Sequence, residues 1–396
     1  MKILSFSYCF PNSADPTWGV FVLQRLAALS KLAQVQVVSP RPVFPVWSAL
    51  RGARLPEVDE MAGLTVYRPR FFYVPGLFKT MDARFYNWGL MRWVEELVRR
   101  EKPDVLDSHF IWPDGVGVYR MARRLGVPFT ITMRGKIYPC LDSPSMTRQC
   151  AEALQHASAV ISVDTPMAEI AVRLGAARGR VHVIRNGVDK DFFRLRPKAQ
   201  ARRELGLPVE GQLIVAVAHL KRTKGHGETI QALARLPGSP RLVIVGGAPG
   251  GDRFGQEARE LAARLGVADR VTFAGRQPHA KIPLYLAAAD VSVLASYREG
   301  CPNVVLESIA CGTPVVATRV GAVPEIVTPG QNGQIVPPRD VEALAQGIAG
   351  VLACRWSPQA LRESATVRTW TEVAQAVYNV FEGIVGRQPI HSVSRD

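Results

Sequence analysis

Short apolar, β-branched runs recur along the chain at residues 2–6, 35–39, 64–68, 105–109, 129–133, 160–163 and 181–184. They recur again at 213–218, 242–245, 271–273, 291–294, 314–317 and 334–336. Between them, segments such as 20–32, 87–100, 116–125 and 257–265 carry apolar residues at i, i+3 and i+4, the spacing that presents one helical face to a core. Strands that are apolar on both faces must be covered on both, so the alternation predicts mostly parallel sheets flanked by helices. The runs fall into two groups, each large enough for one doubly wound sheet. The break is placed in NGVDKDFFRLRPKAQ, residues 186–200, which is turn-rich, then basic, with Pro197. The predicted fold class is therefore α/β, with two doubly wound, Rossmann-like domains facing across a cleft. Ligands of such sheets bind beyond the carboxyl ends of the strands, so function is sought in the loops that follow them.

Length and composition narrow the classes. A chain of 396 residues is sized for two or three domains. With 47% apolar and 21% charged residues it is not a disordered, collagen-like or coiled-coil protein. The formal net charge of +15 favours polyanionic partners, whether nucleic acid, phosphorylated ligands or an anionic membrane surface. Six scattered cysteines with no C-x-x-C pair predict a reduced, cytoplasmic protein without structural zinc. The opening MKILSFSYCFP is broken by Ser5 and Ser7 and ends at Pro11, so it reads as a buried strand and not as a signal peptide. No apolar run approaches the ~20 residues of a membrane-spanning helix, and any membrane contact is expected to be peripheral.

Four loops carry the candidate chemistry. In SYREGCPNVVLESIACGTPVVATRVGAVPEIV, residues 296–327, Glu299 and Glu307 flank Gly300, Cys301 and Pro302, with a helix expected from Asn303 or Val304. A helix N-terminus suits a phosphate, and the flanking carboxylates suit sugar or ribose hydroxyls. In LIVAVAHLKRTKGHGETIQAL, residues 213–233, a strand, a loop bearing Lys221, Arg222 and Lys224, then Gly225 and a helix make a diphosphate cradle. In residues 9–29, Gly19 opens an amphipathic helix after a Pro-rich loop. The ends of later strands carry His109, Asp114 and Arg134-Gly135. There is no G-x-G-x-x-G and no Walker A pattern, so dinucleotide and P-loop readings lose their main supports. Asp189-Lys190-Asp191 spells D-x-D, but its Asn-Gly context reads as turn and cap chemistry.

Glu299-x7-Glu307, the CGTPVVAT that follows and the run Gly321-Ala322-Val323-Pro324-Glu325 resemble the signature of family 4 retaining glycosyltransferases of GT-B fold. The N-terminal pattern, with PTWGVFVLQRLAAL and HFIWPDG, resembles envelope-polysaccharide enzymes of the teichuronic-acid type. The resemblance implies an N-terminal acceptor domain (1–188) and a nucleotide-sugar donor domain (189–369). It also implies a C-terminal segment (370–396) whose helix crosses back to the first domain, ending in a frayed tail. It implies roles residue by residue. Lys224 binds the diphosphate, Glu299 holds donor-sugar hydroxyls and Glu307 holds the ribose. Backbone groups of Gly300, Cys301, Asn303 and Val304 meet the diphosphate.

Gly19 stands where the family has a glycine pair. The family's strand-end His is Arg134 here, with an acidic sugar or a phosphate as its expected partner. Ala218 and His219 replace the family's Gly and Arg, so Arg222 or His219 is expected to supply the second cationic contact. No metal and no cofactor are expected, the nucleotide diphosphate sugar being a substrate. The acceptor is expected to be a sugar, polysaccharide or lipid-linked hydroxyl, with no nucleic acid partner. Residues 70–79, RFFYVPGLFK, read first as a core-facing segment, with contact to an anionic membrane at the inner face of the plasma membrane as the sharper alternative. Competing functions are a nucleotide-sugar 2-epimerase of similar fold and a catalytically inactive basic binding protein.

Overall fold

A computed structural model of the chain describes residues 1–43, 55–72, 78–247, 253–364 and 366–386. The tail beyond Pro389 and residues 73–77 of the aromatic stretch lie outside the described residues. The chain forms two compact units, residues 1–186 with 370–396, and residues 187–369.

Unit 1 holds strands β1 (Lys2–Phe6), β2 (Gln34–Val38), β3 (Arg41–Val43), β4 (Val58–Met61), β5 (Leu64–Tyr67), β6 (Arg70–Phe72), β7 (Val105–His109), β8 (Phe129–Met133), β9 (Ala159–Ser162) and β10 (Val181–Val183). Its helices are α1 (Val20–Leu29), α2 (Asp82–Glu101), α3 (Val116–Leu125), α4 (Ile137–Leu141), α5 (Pro144–His156) and α6 (Thr165–Arg173). The main sheet is ordered β10-β9-β8-β7-β1-β2-β5-β4. Each neighbouring pair is parallel except β4 with β5. Strands β3 and β6 form a separate parallel pair.

Unit 2 holds α7 (Lys198–Glu204), β11 (Leu213–Val217), α8 (His226–Arg235), β12 (Arg241–Val245), α9 (Arg253–Arg264), β13 (Val271–Gly275), α10 (Ile282–Ala288), β14 (Val291–Leu294) and α11 (Asn303–Ala310). It continues with β15 (Val315–Thr318), α12 (Val323–Ile326), β16 (Gly333–Val336), α13 (Val341–Ala353) and α14 (Pro358–Arg362). Its sheet is ordered β13-β12-β11-β14-β15-β16 with each pair parallel. That is the doubly wound order 3-2-1-4-5-6 of a Rossmann domain. Helix α15 (Trp370–Val385) returns the chain to unit 1. Its Trp370, Val373, Val377 and Phe381 are buried in one apolar cluster with Val22, Leu26 and Leu29 of α1.

Each of the thirteen apolar runs lies on a strand, shifted by at most two residues at an end. Three strands escape the pattern. The sequences RPV of β3 and RFF of β6 are three residues long, and VDEM of β4 is half polar. Helix α2 starts at Asp82, five residues before the periodic stretch, and no side chain caps it. The basic stretch after residue 186 is bound into unit 2. The Arg362 guanidinium donates to the carbonyls of Phe193 and Lys190 at 2.8 and 2.7 Å, and the Val188 amide donates to the Arg368 carbonyl at 2.8 Å.

Candidate active site

In unit 2 the strand order reverses between β11 and β14. Connections leaving neighbouring strands at such a point run to opposite faces and open a crevice at the strands' carboxyl ends. The two loops that start there are joined to each other. The Tyr297 amide donates to the Thr223 carbonyl at 2.9 Å. The Tyr297 hydroxyl donates to the Glu228 carboxylate on the first turn of α8. Burial together with this neighbouring carboxylate pushes the hydroxyl up to about 12. The Arg339 guanidinium lies 4.5 Å from the centre of the Tyr297 ring.

This juncture brings Lys224 and Glu299 together. Lys224 Nζ is 2.6 Å from Glu299 Oε1, and the two side chains are 24% and 15% exposed. Gly225, with φ of 68°, fixes the arrangement from behind: a Cβ there would stand 2.0 Å from the Ala295 carbonyl oxygen. No other residue could both take the left-handed turn and let the loop lie against the end of β14.

Helix α11 begins four residues after Glu299, preceded by Pro302 and capped by no side chain. Its first turn thus lies at the positive end of the helix dipole, where backbone N–H groups point out of the helix start. The turn leading into it is braced, because the Gly300 carbonyl accepts from the Ala322 amide at 2.7 Å. Cys301 and Val304 pack against the apolar cluster under this helix. Glu307 follows Asn303 by four residues, on the same helical face. It is partly buried, and that burial pushes its carboxyl up to about 7.

The other basic candidates of the loop stand differently. Arg222 is 76% exposed and meets Glu257 of α9 at 3.0 Å. His219 is exposed, and its carbonyl accepts from the Lys221 amide at 2.8 Å and pairs with His226 Nε2 at 3.1 Å. Among Lys221, Arg222 and Lys224, the one paired with Glu299 is Lys224. Asp189 Oδ1 accepts from the amides of Asp191 and Phe192, both at 3.0 Å, so this aspartate organises a turn.

Unit 1 reverses its order between β1 and β7. There the Tyr8 amide donates to Asp114 Oδ2 at 3.1 Å. Asp114 is wholly buried, and burial raises its carboxyl well above the usual range. Gly19, with φ of 78°, closes the loop after β1, since a Cβ there would stand 2.3 Å from the Cys9 carbonyl oxygen. Arg134, just past β8, donates to Asn186 Oδ1 at 2.8 Å and lies 5.1 Å from the centre of the Phe21 ring.

Below it lies a buried network. Asp107 accepts from Thr130 at 2.9 Å and Ser5 at 3.1 Å and faces His109 Nε2 at 3.1 Å, while Arg25 donates to Thr132 at 2.9 Å. Burial lowers His109 to about 4, so its ring is neutral near pH 7. His109 is wholly buried beside Asp107 and is not a surface group.

Lys224, Glu299, Gly300 and the start of α11 were legible as motif residues, and unit 2 gathers them at one end of its sheet. Tyr297 and Glu228 belong to no motif in the sequence. They are 69 residues apart, and only the adjacency of β11 and β14 pairs them. The Tyr that precedes Glu299 by two was the available signal.

Comparison with known proteins gives the family and the fold. A family model for glycosyl transferases group 1 matches residues 197–368, and one for glycosyltransferase family 4 matches residues 19–192. A Bacillus subtilis (strain 168) protein assigned as the teichuronic acid biosynthesis glycosyltransferase TuaC is 30% identical over 359 residues, 88% of each chain. A D-inositol 3-phosphate glycosyltransferase of Xylanimonas cellulosilytica is 29% identical over 399 aligned positions, 94% of this chain and 92% of that one.

Among solved structures, sucrose-phosphate synthase from Thermosynechococcus elongatus superposes with a TM-score of 0.74 at 24% identity, covering 98% and 97% of the two chains. Anabaena HepE, solved in complex with UDP, does so with a TM-score of 0.70 at 22% identity, covering 98% and 99%. The two Rossmann-like units are those of the GT-B fold. The chain belongs to the group 1 and family 4 glycosyltransferases and is a glycosyltransferase.

Proposed function

We propose that the protein transfers a sugar, with retention and without a metal, from a nucleotide diphosphate sugar to a hydroxyl of a saccharide or lipid-linked acceptor in envelope polysaccharide synthesis. The Lys224–Glu299 pair at the switch point of unit 2 carries the reading. A cation and an anion held 2.6 Å apart beside a helix N-terminus fit the two halves of such a donor. The diphosphate takes the Lys224 ammonium and the backbone N–H groups of Cys301, Asn303 and Val304. Glu299, released from Lys224, accepts from hydroxyls of the donor sugar. Glu307 accepts from the ribose hydroxyls.

As the glycosidic bond breaks, negative charge builds on the leaving diphosphate. Lys224 and the start of α11 stabilise it in place, with little reorganisation at the moment of reaction. The leaving phosphate takes the acceptor's proton, which accounts for the lack of an assigned nucleophile. Arg134 meets an acidic group of the substrates.

HepE has been solved with UDP-glucose as well as with UDP, which supports uridine nucleotides as the first donors to try. The TuaC and D-inositol 3-phosphate relatives support envelope glycans and cyclitol phosphates as acceptor classes.

The test is a panel of nucleotide diphosphate sugars with lipid-linked and phosphorylated acceptors, products being read by mass spectrometry and anomeric NMR. A glycosylated acceptor with the donor's anomeric configuration is the expected product. An inverted product, loss of activity in a chelator, or a free epimerised sugar without acceptor would each reject the proposal. Lys224→Ala should lower kcat about 10²-fold or more, measured with the donor the panel selects.

A further inference from the structure

Helix α2 carries a surface that the transfer reaction does not use. Trp88 is 78% exposed, the largest fraction among the exposed large hydrophobic residues of the described chain. Arg84 and Arg92 lie four residues before and after it, so the three form one stripe along the helix. Arg92 is 95% exposed and, among the described residues, has Glu96 as its ion-pair partner, at 3.5 Å. Arg84 is exposed and has no carboxylate partner within ion-pair distance among the described residues.

Strand β6 crosses the helix beside this stripe. The Phe72 ring, 40% exposed, meets Phe85 at 5.9 Å, and the backbone passes so close that a Cβ on Gly89 would stand 2.8 Å from Phe71 Cβ. Arg70 opens that strand, and exposed Phe78 and Lys79 lead into the helix. Helix α2 thus displays an exposed indole between Arg84 and Arg92, with the exposed Phe72 ring of β6 against the neighbouring Phe85.

We propose that this face of α2 and β6 docks unit 1 on the surface of an anionic lipid bilayer. Exposed tryptophan ringed by arginine is the composition that rests at a bilayer interface, the ring among headgroups and the cations on lipid phosphates. A second copy of the chain is the poorer occupant, because a self-complementary contact would oppose Arg84 and Arg92 to their own kind. Interfacial docking requires no membrane-spanning segment, and among the described residues no helix is long and apolar enough to cross a bilayer. The inference stands on α2 and is independent of the donor site.

The full-length protein is floated with vesicles of phosphatidylcholine alone and with vesicles containing phosphatidylglycerol. Flotation is expected only with the anionic vesicles, and it should fall as salt is raised. Each basic residue near the surface is worth about fivefold in partitioning, so the double reversal R84E/R92E should lower binding by roughly 25-fold or more. The substitution W88F should remove most of the quenching of tryptophan emission by brominated lipid.

Both variants change exposed side chains, so unchanged circular dichroism and melting temperature confirm that they remain folded. Three results would overturn the proposal: no binding to anionic vesicles, equal binding by R84E/R92E and the parent, or equal binding to neutral vesicles. Sedimentation showing a dimer that W88S dissociates would assign the face to self-association and overturn it as well.

Discussion

Lys224 and Glu299 neutralise each other at 2.6 Å, so a diphosphate reaching the loop competes with a carboxylate for the same ammonium. In the proposed transfer a complete donor would compensate for this exchange, its sugar hydroxyls satisfying the displaced Glu299. The nucleoside diphosphate product has no such hydroxyls and would leave Glu299 facing a phosphate. Glu299→Gln should therefore tighten UDP binding about tenfold, equivalent to about 1.4 kcal/mol, while lowering kcat/KM for transfer. Titration calorimetry reads the first effect, and an unchanged Kd would remove the exchange from the mechanism.

The proposed role of Glu307 implies a pH dependence of donor binding. Burial raises its carboxyl from 4.5 to about 7, so the folded protein keeps a proton that the unfolded chain gives up. Its effect on stability is thus unfavourable as pH climbs from 4.5 to about 7, and constant beyond. On the proposed role of Glu307, donor binding should change in the opposite sense, since ribose hydroxyls would donate to the ionised form. KM for the donor should fall as pH rises through about 7 in the parent. In Glu307→Gln it should be higher and flat across that range. A parallel pH profile in the variant would assign the titration to another group.

At the level of elements, the site depends on a seam between two loops that chain order separates. Tyr297 holds the β14 loop to α8 through Glu228 and to the β11 loop through its own amide. Tyr297→Phe keeps the ring under Arg339 and the backbone bond but leaves Glu228 without its donor. The expected cost is about 1–3 kcal/mol of unit 2 stability, seen as a lower melting temperature, with a rise in donor KM larger than the fall in kcat. A fall in kcat alone would mean that Tyr297 does not position the loop.

The same seam shows what could be read from sequence. Except for β4, the strands of the two main sheets were visible because a strand covered on both faces must be apolar throughout, and Lys224 with Gly225, and Glu299 with Glu307, were visible because their spacings belong to two motifs. Tyr297 with Glu228, and Arg222 with Glu257, were not, since these pairs are made by the order of strands across the sheet. Strands β3, β4 and β6 stayed hidden for a related reason: short, edge-lying segments bury too little to impose a pattern on their residues.

At the level of the whole molecule, the chain passes between its units twice, after Asn186 and before Trp370. The two passages lie together in unit 2, where Val188 and Thr369 form a parallel bridge. Unit 2 is one continuous stretch with its own apolar clusters. Unit 1 is not, because α15 supplies Trp370, Val373, Val377 and Phe381 to the cluster around α1. Residues 187–369 expressed alone should therefore fold cooperatively and bind UDP by way of Lys224. Residues 1–186 alone should expose the α1 face and aggregate. In the full chain, Phe381→Ala should cost unit 1 about 3–5 kcal/mol, although Phe381 lies near the end of the described chain. Calorimetry should then show an earlier transition for unit 1 beside an unchanged one for unit 2. A single transition lowered as a whole would mean that the units unfold as one, and a folded 1–186 fragment would mean that α15 covers a core already complete without it.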